Sequence, residues 1–376
     1  MAGLTRRGVI GIGCAAAVPM INRNAYALAA SEPRRYSKRA IDLVRESLVI
    51  DMLAPIKIDF EPAFYSKPMS AQDKADFRAS GITGFHHAVG LGGANAKESA
   101  LAFFAIWGNY VARHAHLFCA VGKAADLTRA KRDGKCAVIM GLQNSDHFLR
   151  PSDVQFFYEI GQRVSQLTYN SQNRIGSGST DRVDGGLSDF GVAIVQEMNK
   201  VGMLVDVSHS GDRTTLDAIA LSPKPIAITH SNCRAIIDHP RVKTDEAIRA
   251  LGKKGGVMGI TGVRNFVSKT DPTTIANIAD HIDHVVKVAG IDHVGIGTDS
   301  DLNGYDDMPA EANKQLRAGY KDSYAFREKI DVDGFDHPRK MYDLTEELIR
   351  RRYSDTNIKA VLGGNFQRLL SATWGG

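Results

Sequence analysis

What most constrains this chain is a succession of eight short, β-branched apolar runs separated by amphipathic stretches. The runs lie at 48–53 (LVIDML), 82–89, 137–142 (AVIMGL), 164–169, 203–207 (MLVDV), 226–230 (IAITH), 256–261 and 293–298 (HVGIGT). Because they are apolar without alternation, each reads as a strand covered on both faces, the state of strands in a parallel sheet. Helical spacing occupies intervals at 98–115, 153–163, 192–201, 213–221, 245–254 and 275–289, and Ser188-Asp189 and Asp245 supply helix-start signals. An α/β chain with this alternation predicts one closed (β/α)8 TIM barrel over 31–376. An open doubly wound sheet would want a Gly-x-Gly-x-x-Gly turn after the first run, where Leu53-Ala54-Pro55 stands instead. Beyond the eighth run, the polar segment 303–340 is expected to cover the barrel mouth or lie on the surface. Helical stretches at 342–352 and 355–370 close the chain.

The N-terminus reads as an address. Thr5-Arg6-Arg7 precedes an apolar stretch at 8–20, and Ala25-Tyr26-Ala27 offers a small-x-small cleavage site. That order describes a twin-arginine signal over 1–30, and it places the mature protein in the periplasm. No apolar run approaches the ~20 residues that span a bilayer. Net charge is +5, and Arg6, Arg7 and Arg23 fall in the first thirty residues, so the remainder offers no basic footprint for nucleic acid. Cys119, Cys136 and Cys233 follow the signal; an odd number without a Cys-x-x-Cys pair reads as buried small apolar residues.

In a barrel enzyme the chemistry gathers where strands end. The fifth run ends in Asp206-Val207-Ser208-His209, the sixth in Thr229-His230-Ser231 and the eighth in Thr298-Asp299-Ser300-Asp301. Two imidazoles on consecutive strands with a carboxylate nearby suit a zinc-type ion and the handling of its water proton. His86-His87 ends the second run, and one of the two must face inward, since neighbours on a strand point opposite ways. Asp146 and His147 follow the third run and are further candidate ligands.

The stretch Gly186-Leu-Ser-Asp-Phe-Gly191 … Glu197-Met-Asn … Gly202-Met-Leu-Val-Asp-Val-Ser-His209 resembles the membrane (renal) dipeptidase family of metallopeptidases. The likeness continues through Pro225-Ile-Ala-Ile-Thr-His230-Ser231, His239-Pro-Arg241, His293-Val-Gly-Ile-Gly-Thr-Asp299 and Gly363-Gly-Asn-Phe-Gln-Arg368. The resemblance implies a zinc-dependent (β/α)8 barrel of the amidohydrolase superfamily that cleaves dipeptides, with homodimers possible. It also implies two metals, held by a first-strand His-x-Asp, a bridging Glu and one His each from the fifth and sixth strands. Here Leu53 and Pro55 stand at the first pair, Gln143 at the Glu, and Tyr169 at a His expected to stabilise the oxyanion.

The expectation is therefore one zinc on His209 and His230, with Asp299 taking the proton and Tyr169 steadying the oxyanion. Arg241 is expected to hold a substrate carboxylate, and Asn170 and Gln143 to touch a small dipeptide or amide. The alternatives are a metal-independent lyase or isomerase, or a ligand-binding protein, on the same scaffold.

Overall fold

The computed structural model describes residues 36–57, 65–306 and 308–374, so the proposed signal lies outside the described residues. Nine parallel strands are present among the described residues: β1 Ile50–Asp51, β2 Gly84–Val89, β3 Phe118–Ala120, β4 Cys136–Leu142, β5 Val164–Gln166, β6 Leu204–Asp206, β7 Ala227–Ser231, β8 Val257–Ile260 and β9 Val294–Ile296. Eight of them close a barrel, β4 pairing β2 along its length and β9 returning to β1. The ninth, β3, pairs the first residues of β4, on which β5 pairs only at Gly141 and Leu142. Phe118-Cys119-Ala120 is too short to register as a run in the sequence, which is why it was not expected. The barrel itself is as expected.

The two ends of the barrel are built differently. At the end where strands begin, Ile50, Leu204, Ala227 and Val257 pack with Phe366, Leu369 and Leu370 of the last helix, Asn365–Trp374, and close the floor with apolar surface. At the end where strands finish, the pairing of β7 with β8 shifts register between Ile228 and Ser231. A Cβ on Gly259 or Gly297 would stand about 2.0 or 1.9 Å from the Thr229 carbonyl oxygen. Glycine at both positions thus admits the displaced carbonyl, and irregularities of this kind re-aim the side chains beside them, here His230.

Helices surround the barrel close to the expected intervals, including Asp189–Val201, whose Ser188 side chain accepts from Gly191 N, and Asp245–Lys253, capped by Thr244. The segment after β9 folds over the mouth. Its helix Ala310–Ala318 and short turn Asp322–Tyr324 bring Tyr305, Leu316, Tyr320 and Phe326 against Ile237, Val242, Val263 and Phe266. This is a separate apolar cluster from the barrel core. Cys119, Cys136 and Cys233 are free thiols, the last two buried.

Candidate active site

His209 follows β6 and His230 belongs to β7, and their Nε2 atoms approach to 2.9 Å. Each ring is anchored by its other nitrogen. His209 Nδ1 meets Asn170 Oδ1 at 2.7 Å, and His230 Nδ1 meets Thr229 Oγ1 at 2.8 Å. The partners decide the tautomers. The Thr229 hydroxyl gives its single proton to Asp206 Oδ2 at 2.6 Å, so it must accept from His230 Nδ1–H. Asn170, presenting its oxygen, accepts from His209 Nδ1–H. Both Nε2 lone pairs then face each other, an arrangement relieved only by a cation or proton between them. Burial, with the neighbouring Arg241 charge, holds both imidazoles well below their ordinary pKa and so neutral.

The loops carrying the pair are locked from below. Asp206 Oδ1 accepts from Ser208 N, Ser208 Oγ and Thr229 N. Arg241, fully buried, donates from one terminal nitrogen to Ser208 O at 2.5 Å and from the other to His230 O at 2.9 Å. Lys243 donates to Val207 O, Ser210 O and Thr215 Oγ1 at 2.7, 2.7 and 3.0 Å. Burial pulls its pKa down to about 7. Two cations from one short loop therefore tie down both histidine-bearing segments.

On the other side of Tyr169 from His209 lies a cavity of about 460 Å³, lined by Tyr169 and Asp299 among others and by neither histidine. Tyr169 forms the boundary: its ring stacks on His209 at 4.3 Å and its hydroxyl meets that of Tyr320 at 2.7 Å. Gly90 makes room for that ring, since a Cβ there would come within 2.8 Å of it. Asp299 enters from the end of β9 with φ 59°, a left-handed conformation that Asp tolerates better than most residues, its N–H donating to Leu53 O at 2.8 Å. Its carboxylate makes no hydrogen bond or ion pair among the described residues. Desolvation pushes its pKa up to about 7, with Asp51 and Asp206 adding to the rise against the Arg241 charge. Burial likewise holds Tyr169 well above the usual phenol range and Tyr320 up to about 12.

Several expected residues are placed elsewhere. Arg241 is not on the cavity wall; its terminal nitrogens donate to Ser208 O and His230 O and so tie down the histidine loops, while its buried Nε makes no hydrogen bond among the described residues. Asn170 is likewise absent from the wall and orients His209. Gln143 does line the cavity, its Nε2 donating to Ala88 O at 3.2 Å. Leu53 is buried and Pro55 forms part of the wall. Asp51 lies deeper and binds Thr298 N and Oγ1, joining β1 to β9.

His86 turns into the barrel, its Nδ1 donating to Met52 O, while His87 packs outward on Trp107 and Phe103. His147 is buried among Phe148 and Phe157, and Asp146 accepts from Gly93 N and Asn144 Nδ2. Neither joins the pair. Among the described residues no three His, Cys, Asp or Glu side chains gather as a metal-ligating group; the imidazoles whose Nε2 atoms converge, and which could offer themselves to an ion, are His209 and His230. Sequence reasoning missed Tyr305, Tyr320, Tyr324 and Phe326 on the wall; four aromatics within 305–326 were the available signal.

Residues 57–318 match the family described as membrane dipeptidase (Peptidase family M19). Dipeptidase verJ of Clonostachys rogersoniana is 32% identical over 244 residues, covering 64% of this chain and 56% of its own. Dipeptidase tcpJ of Claviceps purpurea (strain 20.1) is 29% identical over 253 residues, covering 66% and 53%. The chain thus spans about half the length of the curated relatives it matches. An amidohydrolase from Pseudomonas aeruginosa superposes with a TM-score of 0.77 at 29% identity, covering 90% of this chain and 99% of that one. The probable dipeptidase PvdM from Pseudomonas aeruginosa shares the fold, with a TM-score of 0.75 at 21% identity over 90% and 98%.

Proposed function

The chain belongs to the membrane dipeptidase family, and from that premise we propose that it hydrolyses a small amide of the dipeptide kind with one metal ion held by His209 and His230. One observation carries the reading: two imidazole lone pairs converge from anchored rings, and no third ligand-type side chain among the described residues joins them. Zinc, when bound there, would supply Lewis acidity toward water and the amide carbonyl at neutral pH.

The chain's own residues would do the rest. Asp299 stands at the cavity wall without an ion pair and with a pKa near 7, suited to taking a proton from water and returning it to the leaving nitrogen. Tyr169 and Tyr320 use one proton in their mutual bond, leaving the other for the carbonyl oxygen. Asn170 and Thr229 keep both imidazoles in the tautomer that offers Nε2. The segment over the mouth limits water around the reacting bond. The same reading includes export to the periplasm, supported by Arg6-Arg7 and the apolar stretch after it.

Elemental analysis of protein purified without chelator or tag histidines tests this, run beside a screen of dipeptides and simple amides. About one zinc per chain, lost in His209→Ala together with hydrolysis, is the expected result. Hydrolysis that persists without metal, or two ions per chain, overturns it.

A further inference from the structure

A lysine is buried where the strand that carries Asp299 comes to an end. Lys340 is 1% exposed and opens the helix Lys340–Arg350. A cation at that position works against the helix dipole, whose positive end is the N-terminus, and a lysine is almost never fully buried unless it is paired. Helix formation does not account for this residue; its partners do. The ammonium donates to Ser300 Oγ at 3.0 Å and to Asp301 O at 2.6 Å, and it stands 5.9 Å from the centre of the Phe335 ring. Burial lowers its pKa, opposed by the charges of Asp51, Asp301 and Asp331.

The opposite charge holds the other side of the same turn. Asp51, fully buried, accepts from Thr298 N at 2.8 Å through Oδ1 and from Thr298 Oγ1 at 2.7 Å through Oδ2. The residue before Asp299 is thus fixed by a buried carboxylate, and the two residues after it by a buried ammonium. Between them Asp299 has φ 59° and gives its N–H to Leu53 O. A left-handed residue other than glycine persists where its surroundings over-determine it. The Asp299 carboxylate lines the cavity without a hydrogen bond or ion pair of its own among the described residues, so its direction follows from this turn and not from a partner.

We propose that Lys340 is a positioning residue for Asp299: by holding Ser300 and Asp301 it keeps the turn that aims the carboxylate into the cavity. The proposal rests on the hydrolase reading above, in which Asp299 moves the proton. The segment over the mouth leaves the barrel after Asp301 and returns at Lys340, 39 residues on, so the same bond also closes the base of the cover.

Steady-state kinetics on Lys340→Met, alone and combined with Asp299→Asn, tests this. Lys340→Met should lower kcat about thirtyfold and leave KM within about threefold, because the cavity wall is untouched. In the Asp299→Asn background the same change should lower kcat by no more than about twofold, since a group acting through Asp299 then has nothing left to aim. Leu348→Ala, on the buried face of the same helix, should destabilise the fold and leave kcat within about twofold. Ser300→Ala removes one of the two bonds without leaving a charge unpaired, and it decides the matter where Lys340→Met does not fold. Its expected effect is a kcat about threefold to fivefold lower, again only where Asp299 is present. Losses that multiply in the double variants, a kcat loss in Leu348→Ala as large as in Lys340→Met, or an unchanged kcat in Ser300→Ala and Lys340→Met overturn the proposal.

Hydrogen exchange reads the clamp without turnover. Amides of 298–302 should exchange at least tenfold faster in Lys340→Met, with those of 257–260 unchanged. Unchanged exchange at 298–302 overturns the proposal. Absence of turnover in the unmodified protein overturns the hydrolase reading, while exchange still decides whether Lys340 holds the strand end.

Discussion

The mouth of this barrel has two unlike halves. On the side of β6 and β7, the strand ends deliver polar groups into a network: Asp206 to Ser208 and Thr229, Thr229 to His230, His230 to His209, and His209 to Asn170. On the side of β1, β2 and β4, the corresponding positions hold Leu53, Pro55, Ala88, Val89 and Gln143. One half is fixed by hydrogen bonds and buried charge, and the other is a mostly apolar wall with Gln143 as its one polar side chain among those named. The difference separates two tasks. Reactive groups need orientation and are built where the network is dense; a ligand body needs volume and is received where the network is missing.

The sharpest way to break this comparison is to remove an imidazole. His209→Ala or His230→Ala should lower kcat by about 10³-fold, within the range for losing a positioned catalytic group. Circular dichroism should stay unchanged, since the loops remain tied by Arg241 and Lys243. A residue on the apolar half, such as Val89→Ala, should change KM and leave kcat within about threefold; steady-state kinetics on the three variants decides whether the halves divide as argued.

Next in size is the clamp. Arg241→Met keeps much of the volume and leaves Ser208 O and His230 O without their charged donors. A buried hydrogen bond to a charged group contributes about 1.5–3 kcal/mol, so urea unfolding should show a loss of about 3 kcal/mol. If stability is unchanged while carboxylate-bearing substrates lose affinity, Arg241 is a ligand contact and the positioning role fails.

Much of the polar half is legible in the amino-acid sequence because its residues sit at strand ends, and strand ends can be located from apolar runs. His209, His230 and Asp299 need only the position where each run stops. Arg241 is legible as a residue, and its two backbone bonds are not. Nothing local in His-Pro-Arg tells whether a guanidinium reaches outward to a ligand or inward to two carbonyls. The apolar half is legible only as departures from a resemblance, at Leu53, Pro55 and Gln143. The aromatic cover is hidden for a different reason. Tyr305, Tyr320, Tyr324 and Phe326 lie in a charge-rich segment outside the runs and helical stretches read from the sequence, and they form a cluster only after the segment has folded back on the mouth. The register shift at Thr229 is equally out of reach, since it depends on two glycines in neighbouring strands that no local pattern connects.

Asp299 belongs to neither half by its partners, and its titration sharpens the boundary. Its folded-state pKa is raised to about 7, so the ionised, proton-accepting form grows as pH rises through that value. The rate kcat/KM should therefore climb between about pH 6 and 8. His209 and His230, held neutral well below their ordinary pKa, should add no second limb in that window. Asp299→Asn should lower the rate about 10²-fold and flatten the profile. A limb near pH 7 that persists in Asp299→Asn would assign the proton transfer to another group.

The smallest effect is expected where the cover meets the network, at the hydroxyl pair of Tyr169 and Tyr320. Two kinds of interaction could hold the cover down, and they differ in scale. A single neutral hydrogen bond contributes about 0.5–1.5 kcal/mol. Fully burying one large apolar side chain contributes about 1.5–3 kcal/mol, and the cover buries Tyr324 beside Val263 and Phe266. Packing should therefore win. Tyr320→Phe, which deletes only the bond, should leave KM within about twofold and protection of cover amides from hydrogen exchange nearly unchanged. Tyr324→Ala should raise KM and expose the amides of Ala310–Ala318 to exchange without altering those of the strands. If instead Tyr320→Phe opens the cover as fully as Tyr324→Ala, the hydroxyl pair is a latch, and the apolar cluster is too weak to hold the mouth closed.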